Sequence, residues 1–186
     1  MLNINFDPFK NLETERLLLR RLDNADVKEV YALRSNPSTM KYIPRPLVKN
    51  DEEALEHIAM INSKIDSNEG INWAITLKGN PKLIGIIGHY RIQPQNYRAE
   101  IGYMILPEFN GQGIVAEAIK EVVRYGFDVM ELHSIEAVID PDNLASERVL
   151  QKNGFVKEAH ILENEFFDGK FIDTVIYSLL KRNFKG

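Results

Sequence analysis

The 186-residue sequence contains no cysteine, so neither a disulfide framework nor a thiol nucleophile is available to it. No apolar run approaches the roughly 18 residues that a membrane-spanning helix requires. The first residues include Asp7 and Pro8 and lack the basic start and apolar core of a signal peptide. We therefore expect a cytoplasmic protein that does not bind membranes.

Clustered metal ligands and an excess of positive charge are also missing. The four histidines are scattered without ligand spacing, so no metal site is predicted. The formal net charge of −4 argues against nucleic acid as a partner, whereas it would attract a cationic substrate such as an amine. Length and composition fit one domain with a substantial core, and we expect a single domain over residues 1–186. The sequence leaves a homodimer or a higher homo-oligomer open.

What the chain does contain is a regular order of strands and helices. Apolar patterning predicts strands at 15–22, 71–77, 83–91, 98–106, 134–139, 155–167 and 170–180, the first of them at a sheet edge. Helical spacing predicts helices at about 25–35, from a cap at Asn50 or Asp51 to about 65, at about 112–130 and at about 145–153. The three strands between 71 and 106 should form an antiparallel meander, and the strand–helix–strand crossover that follows predicts one parallel pair. The predicted fold class is α/β (α+β): a mixed, mostly antiparallel central sheet with one parallel pair splayed at its middle, flanked by about four helices.

Two glycines lie where the strand 98–106 gives way to the helix 112–130. They belong to the turn formed by Asn110, Gly111, Gln112, Gly113, Ile114 and Val115. The first N–H groups of a helix have no partner within it, and the helix dipole favours an anion in front of them, most often a phosphate. No Gly-Lys-Ser/Thr follows and the spacing is not G-x-G-x-x-G, so neither a nucleotide P-loop nor a dinucleotide fingerprint is present. The pattern predicts either a phosphate held by main-chain groups alone or an ordinary tight turn.

This stretch resembles the acyl-CoA pyrophosphate loop of the GNAT N-acetyltransferases, whose pattern is Gln/Arg-x-x-Gly-x-Gly/Ala. Asn110, Gly113 and Val115 occupy the three defined positions, with Asn in place of Gln/Arg and Val in place of Gly/Ala. The flanks are similar to the RimJ/RimL-like branch, which acetylates the N-termini of ribosomal proteins. These flanks are Glu-Ile-Gly-Tyr at 100–103, and Asn-x-x-Ser at 143–146 followed by Leu-x-Lys-x-Gly-Phe. The resemblance extends from residue 13 to about 182.

The resemblance implies acetyl-CoA as co-substrate, with its pyrophosphate on residues 110–115. Gly102 lies within a strand, where glycine often marks a bulge or a close backbone approach. Its alternative role is to relieve crowding beside Tyr103 or Trp73. A bulged strand next to a crossover can splay from its parallel partner and expose backbone groups to an extended, amide-bearing ligand such as pantetheine. The family arrangement places Met104, Ile105 and Leu106 along that ligand.

Glu100, at the start of the same strand, is our first candidate for a general base, acting directly or through a water. A solvated carboxylate at a strand end is the alternative. His89 titrates in a suitable range and is the second candidate, with a structural role as its alternative. A base assists less at an α-amino group, whose pKa is roughly 7.7–8.0, than at a lysine, whose pKa is about 10.4. Much of the acceleration can come from holding the two substrates in register.

Asn143 and Ser146 follow the predicted parallel strand at its carboxyl end, where open α/β sheets tend to bind ligands. Asn143 can hydrogen-bond a pantetheine amide, and Ser146 can donate a proton or a hydrogen bond to the departing thiolate. Tyr103 and Tyr90 are alternative donors. Both Asn143 and Ser146 are also favoured at a helix N-terminus, and a cap at Asn143 is compatible with ligand binding.

With the resemblance, these residues predict an acetyl-CoA-dependent N-acetyltransferase that transfers directly to a primary amine in a ternary complex. The preferred acceptor is the α-amino group of a protein N-terminus, such as that of a ribosomal protein. Two alternatives stay open: an acyl-CoA-binding sensor or scaffold without turnover, and an acetyltransferase for a polyamine or an aminoglycoside. The loop at 40–48 and the last hairpin are expected to determine the acceptor.

Overall fold

The computed structural model describes all of residues 1–186 and contains one eight-stranded sheet with five α-helices. The strands are β1 (Leu12–Glu13), β2 (Leu17–Arg20), β3 (Ile71–Leu77), β4 (Asn80–Gln93), β5 (Arg98–Ile105), β6 (Ser134–Ile139), β7 (Val156–Phe167) and β8 (Lys170–Leu180). The helices are α1 (Val27–Ser35), α2 (Pro37–Met40), α3 (Asp51–Asp66), α4 (Ile114–Asp128) and α5 (Leu144–Lys152). None of these helices is long and apolar enough to cross a membrane.

The strand order across the sheet is β1-β2-β3-β4-β5-β6-β8-β7. Every neighbouring pair is antiparallel except β5 and β6, which run parallel and are joined by the crossover through α4. The predicted mixed sheet with one parallel pair is therefore confirmed, and so is the β3–β4–β5 meander. One detail was wrong: the strand expected at 15–22 does not form the edge, because the two-residue β1 folds back and pairs with β2 on its outer side.

Capping residues explain where the helices begin. Asp23 forms a capping box ahead of α1, and the side chain of Asn50 caps α3. The sequence predicted about four helices, whereas the structure has five. The additional helix, α2, is a single turn that Asn36 caps and Pro37 begins. We had interpreted this Asn-Pro pair as the end of a helix, although proline is equally suited to a first helical position.

One part of the core lies where α4 packs on the sheet. The inward residues of α4 recur at the predicted helical spacing and all are buried: Ile114, Ala118, Ile119, Val122, Val123 and Phe127. Helix and sheet approach closely at Gly126, where a Cβ would lie 2.9 Å from Nε2 of His89 on β4. Trp73 on β3 is fully buried and makes an edge-on contact with Tyr125 of α4. This packing holds α4 on β3 and β4 and so holds the loop that precedes the helix.

Candidate active site

The strands β5 and β6 separate in the middle of the sheet. They pair only from Arg98 to Glu100, opposite Ser134 to Glu136. Beyond these residues β5 continues to Ile105 and β6 to Ile139 without pairing with each other, although β5 stays paired with β4 and β6 with β8. The expected splay is present, and backbone groups on the β6 side of β5 are available to an extended ligand. Along this part of the chain Met104 and Ile105 are half-buried and Leu106 is buried.

Gly102 does not form the predicted bulge. Its pairing with Gly88 continues the regular register between β4 and β5, and the one irregularity of that pair lies beyond Tyr90. A side chain at Gly102 would be crowded, because a Cβ would lie only 3.0 Å from Cε2 of the Tyr90 ring. The crowding alternative is therefore right in kind, but the crowding residue is Tyr90 and not Tyr103 or Trp73. The splay occurs without a bulge in β5.

Two glycines shape the exposed turn before α4. Gly111 and Gly113 have φ angles of +74° and +75°, in the left-handed region where other residues are strained. Gly113 is the N-cap residue of α4, and this helix has no side-chain cap. Because of these two conformations the helix begins at Ile114, two residues later than predicted. A helix N-terminus without a side-chain cap favours an anionic ligand.

The side chain of Arg16, the residue before β2, contacts this turn. Its Nη1 donates to the carbonyl oxygen of Gln112 at 3.0 Å, and its Nε donates to Oε2 of Glu117 on α4 at 2.6 Å. The Arg16 amide and the Thr14 hydroxyl both donate to the other oxygen of Glu117. Burial raises the pKa of Glu117, but these donors outweigh it, and the pKa lies below its ordinary value.

Glu100 lies at the point where β5 and β6 separate. Its side chain is 16% exposed and accepts a hydrogen bond from Nη1 of Arg91 at 2.9 Å. Burial raises the pKa of Glu100, Arg91 opposes this, and Glu136 directly across on β6 raises the pKa further. Glu136 is itself paired with Arg98 at 2.7 Å. A largely buried carboxylate with a raised pKa is a better proton acceptor than an ordinary exposed carboxylate and is a candidate general base.

Tyr103 and Ser146 are brought together from β5 and α5. The buried Tyr103 hydroxyl makes no hydrogen bond of regular geometry, and the Ser146 hydroxyl is the polar group beside it. Burial raises the pKa of Tyr103 to about 12, with Ser146 acting in the opposite direction. Asn143 caps α5, since its Oδ1 accepts the Ser146 N–H at 3.1 Å. The Nδ2 group of Asn143 remains able to donate to a ligand.

His89 is not placed to act on a substrate. It is fully buried, its Nε2 lies 2.9 Å from the carbonyl oxygen of Val122, and burial lowers its pKa to about 4. The structural alternative for His89 is confirmed. Tyr90 pairs with Glu100 in the register of β4 and β5, and burial raises the pKa of Tyr90 above its ordinary value. No three histidine or acidic side chains converge in a way that would hold a metal ion.

A cavity of about 650 Å³ lies between the segment 37–47 and the tip of the β7–β8 hairpin. The loop and the hairpin that were expected to determine the acceptor therefore meet. The charged side chains that line the cavity are of both signs: Lys41, Arg45, Asp140 and Asp168. Arg45 pairs with Glu165 of β7 at 3.2 Å. The positive charge of Arg45 also lowers the pKa of Glu100, so a residue that lines the cavity influences the carboxylate where β5 and β6 separate.

Sequence reasoning missed three arginines at this site: Arg16, Arg45 and Arg91. The first two reach carboxylates that are 101 and 120 residues away along the chain, and no local pattern reports such contacts. Arg91 and Glu100 are separated by 9 residues on antiparallel neighbouring strands. That short connection was a usable signal, because it brings the two strand ends together.

The sequence matches the acetyltransferase (GNAT) domain over residues 16–156. The chain therefore belongs to the GNAT acetyltransferase family. It is an N-acetyltransferase, and acetyl-CoA is its co-substrate. These comparisons confirm the predicted family, the predicted class of enzyme and the predicted co-substrate.

Two relatives illustrate the range of the match. The N-acetyltransferase YoaA of Bacillus subtilis is 36% identical over 173 residues, which cover 93% of this chain and 98% of that protein. YdaF of the same organism, assigned as a ribosomal N-acetyltransferase, is 35% identical over 104 residues, which cover 56% of this chain and 57% of that protein.

Solved structures share the whole fold. A GNAT-family acetyltransferase from Bacillus anthracis superposes with a TM-score of 0.82 and 28% identity, covering 93% of this chain and 99% of that one. A spermidine N-acetyltransferase from Vibrio cholerae, in complex with CoA and spermine, superposes with a TM-score of 0.80 and 25% identity, covering 91% of this chain and 98% of that one. The predicted fold class is confirmed.

Proposed function

We propose that this enzyme acetylates the α-amino group of a protein N-terminus, such as that of a ribosomal protein, in a ternary complex with acetyl-CoA. The observation that carries the proposal is the position of Glu100. Its largely buried carboxylate lies where β5 and β6 separate, and the charge of cavity residue Arg45 acts on it. A carboxylate at the strand separation, close enough to feel the charge of a cavity residue, is a candidate to remove a proton from an amine that enters from the cavity.

We place the acetyl-CoA along β5, with the pyrophosphate in front of α4. The main chain of the turn would bind the phosphates: Asn110, Gly111, Gln112, Gly113, Ile114 and Val115. The pantetheine would follow Met104, Ile105 and Leu106, with Nδ2 of Asn143 donating to one of its amide carbonyls. Because the phosphates are held by main-chain N–H groups, the departures at Asn110 and Val115 from the family pattern do not remove the binding groups.

In the proposed reaction Glu100 accepts a proton from the acceptor ammonium group, directly or through a water. The neutral nitrogen then attacks the thioester carbonyl carbon, a C–N bond forms, and the C–S bond breaks as the intermediate collapses. The nitrogen passes its second proton to the oxygen of Ser146, directly or through a water, as the Ser146 hydroxyl, beside which Tyr103 lies, gives its own proton to the departing thiolate. Ser146 ends unchanged, and Glu100 returns the first proton to solvent. Direct transfer needs no covalent enzyme intermediate, in keeping with the absence of cysteine.

The charge of the acceptor cavity favours a peptide over a polycation. Lys41 and Arg45 stand among its lining residues together with Asp140 and Asp168. A polyamine is best stabilised by a cavity whose charged lining residues are all acidic, because each basic side chain near its ammonium groups repels it. A peptide N-terminus carries one positive charge followed by neutral amides, which suits a mixed wall. The relative assigned as a ribosomal N-acetyltransferase agrees with this choice.

A polyamine acceptor is the second candidate, and the spermidine N-acetyltransferase from Vibrio cholerae supports it. The experiment is a measurement of CoA release with three acceptors: a peptide with a free N-terminus, the same peptide blocked at its N-terminus but containing lysine, and spermidine. We expect release with the first peptide only, with the modification located at the α-nitrogen by mass spectrometry. A preference for spermidine or for lysine would overturn the α-amino assignment. If the protein binds acetyl-CoA but releases no CoA in the presence of any of the three acceptors, the sensor hypothesis is supported instead.

A further inference from the structure

We propose that Arg16 is a pyrophosphate-binding side chain of the acetyl-CoA site, supplied to the α4 turn from the start of β2. The inference rests on the proposed placement of the pyrophosphate in front of α4. It adds a cationic side chain to a turn that otherwise offers main-chain groups.

The guanidinium group of Arg16 is fixed at the turn by two of its three nitrogen atoms. Nη1 donates to the carbonyl oxygen of Gln112 at 3.0 Å, and Nε donates to Glu117 at 2.6 Å. The main chain of Arg16 is held as well, because its carbonyl oxygen accepts the N–H of Lys78. A side chain bound at both its base and its tip loses little further freedom when it meets a ligand.

The third nitrogen of Arg16 is directed to the turn and has donors to spare. Nη2 makes no hydrogen bond within the protein, and it lies 3.6 Å from the place that a Cβ on Gly113 would occupy. The Arg16 side chain is 46% exposed, so an incoming anion can reach it. A guanidinium group pairs with phosphate oxygens through charge-assisted hydrogen bonds.

Arg16 has a second effect, which is to neutralise the charge of Glu117. The Glu117 carboxylate lies in the first turn of α4, close to where the phosphates would bind, and its lowered pKa keeps it ionised. An ionised carboxylate there repels an anion unless a cation neutralises it. The Arg16–Glu117 pair cancels that charge, and Nη2 remains for the ligand.

The proposal is tested by calorimetric titration of CoA and of dephospho-CoA, which keeps the pyrophosphate but lacks the 3′-phosphate. The proteins are the wild type, Arg16→Gln, Glu117→Gln and the double variant, each first checked for folding by its thermal melt without ligand. We expect Arg16→Gln to bind both ligands about tenfold or more weakly, as the loss of a charge-assisted hydrogen bond implies. Glu117→Gln should bind CoA at least as tightly as the wild type, because it keeps the cation and loses the nearby anion.

The double variant separates direct contact from mere neutralisation. The double variant should still bind both ligands weakly, because it lacks the guanidinium group even though the charge of Glu117 has been removed as well. Restored affinity in the double variant, or wild-type affinity in Arg16→Gln, would overturn the proposal. Equal weakening by Glu117→Gln and Arg16→Gln would show that the pair only shapes the turn, and a loss confined to CoA would assign Arg16 to the 3′-phosphate. A wild type that binds neither ligand would contradict the proposed site itself.

Discussion

At the scale of single residues, the proposed chemistry depends on the environment of one carboxylate. Glu100 is a candidate base because burial raises its pKa, while Arg91 holds it partly down. A base acts in its deprotonated form, so the activity of the wild type should rise with pH as Glu100 loses its proton. An enzyme that lacks this base would depend on the acceptor amine losing its proton in solution. The two titrations can be told apart, because only that of Glu100 changes when the protein is mutated.

We predict that Glu100→Gln lowers kcat by about 100-fold, the lower range for general base catalysis, and leaves the KM for acetyl-CoA unchanged. The pH–rate profile of Glu100→Gln should show only the rise that is caused by deprotonation of the acceptor amine. Arg91→Gln is the matched variant: without the guanidinium group the pKa of Glu100 rises further, and the acidic limb should move to higher pH. A Glu100→Gln enzyme with the rate and profile of the wild type would show that Glu100 is not the base.

Gly113 offers a second test at the residue scale. Gly113→Asp would place a carboxylate at the turn before α4, where we expect it to abolish acetyl-CoA binding by repelling the pyrophosphate. Gly79→Asp is the control, because Gly79 has a similar φ of +80° in the β3–β4 turn and nothing within 4 Å of its Cβ position. Both variants should lose a similar small amount of stability, about 1 kcal/mol, from backbone strain. Unchanged acetyl-CoA affinity in Gly113→Asp, measured by calorimetry, would mean that the phosphates bind elsewhere.

The residues that sequence reasoning found and missed differ in kind. The turn at 110–115 was predictable because glycine between a strand and a helix is a local signal. The contact of Arg16 with this turn was not, since it joins residues 96 positions apart. The bulge assigned to Gly102 was wrong for the same reason: the ring that crowds the Cβ position of Gly102 belongs to Tyr90 on the neighbouring strand.

At the scale of elements, boundaries followed the local chemistry of turns and caps. The strands β3, β6 and β8 lie where they were predicted. Asp168 and Gly169 join β7 to β8 with φ angles of +48° and +77°, as a two-residue hairpin turn requires. The short α2 was missed because Pro37 was interpreted as a terminator, and α4 begins two residues late because both glycines of its turn are left-handed.

Asn143 tests whether a cap also serves a ligand. Asn143→Ala should cost about 0.5–2 kcal/mol of unfolding free energy through loss of the α5 cap, and it should also weaken acetyl-CoA binding. Asn143→Asp keeps the oxygen that accepts the Ser146 N–H but removes the amide donor. We therefore expect Asn143→Asp to have nearly wild-type stability in a denaturant melt and reduced affinity in a titration. If it binds acetyl-CoA as the wild type does, Asn143 is a cap and no more.

At the scale of the whole molecule, topology determines where a ligand can enter. The single parallel pair was predictable from the crossover, and its pairing stops at Glu100. The same topology brings the segment 37–47 against the last hairpin to form the cavity that we propose for the acceptor. The sequence predicted that the loop at 40–48 and the last hairpin would determine the acceptor. That the two segments meet, and the balance of charge on the cavity wall, depend on side chains that only the folded chain brings together.

The measurement that tests the central claim most directly is a thermal melt with and without saturating acetyl-CoA. A ligand present at about 100 times its Kd stabilises the folded state by roughly 2.7 kcal/mol. For a chain of this size we expect Tm to rise by about 5–10 °C. No rise at millimolar acetyl-CoA would contradict the account, because the turn before α4 would then be a turn without a ligand.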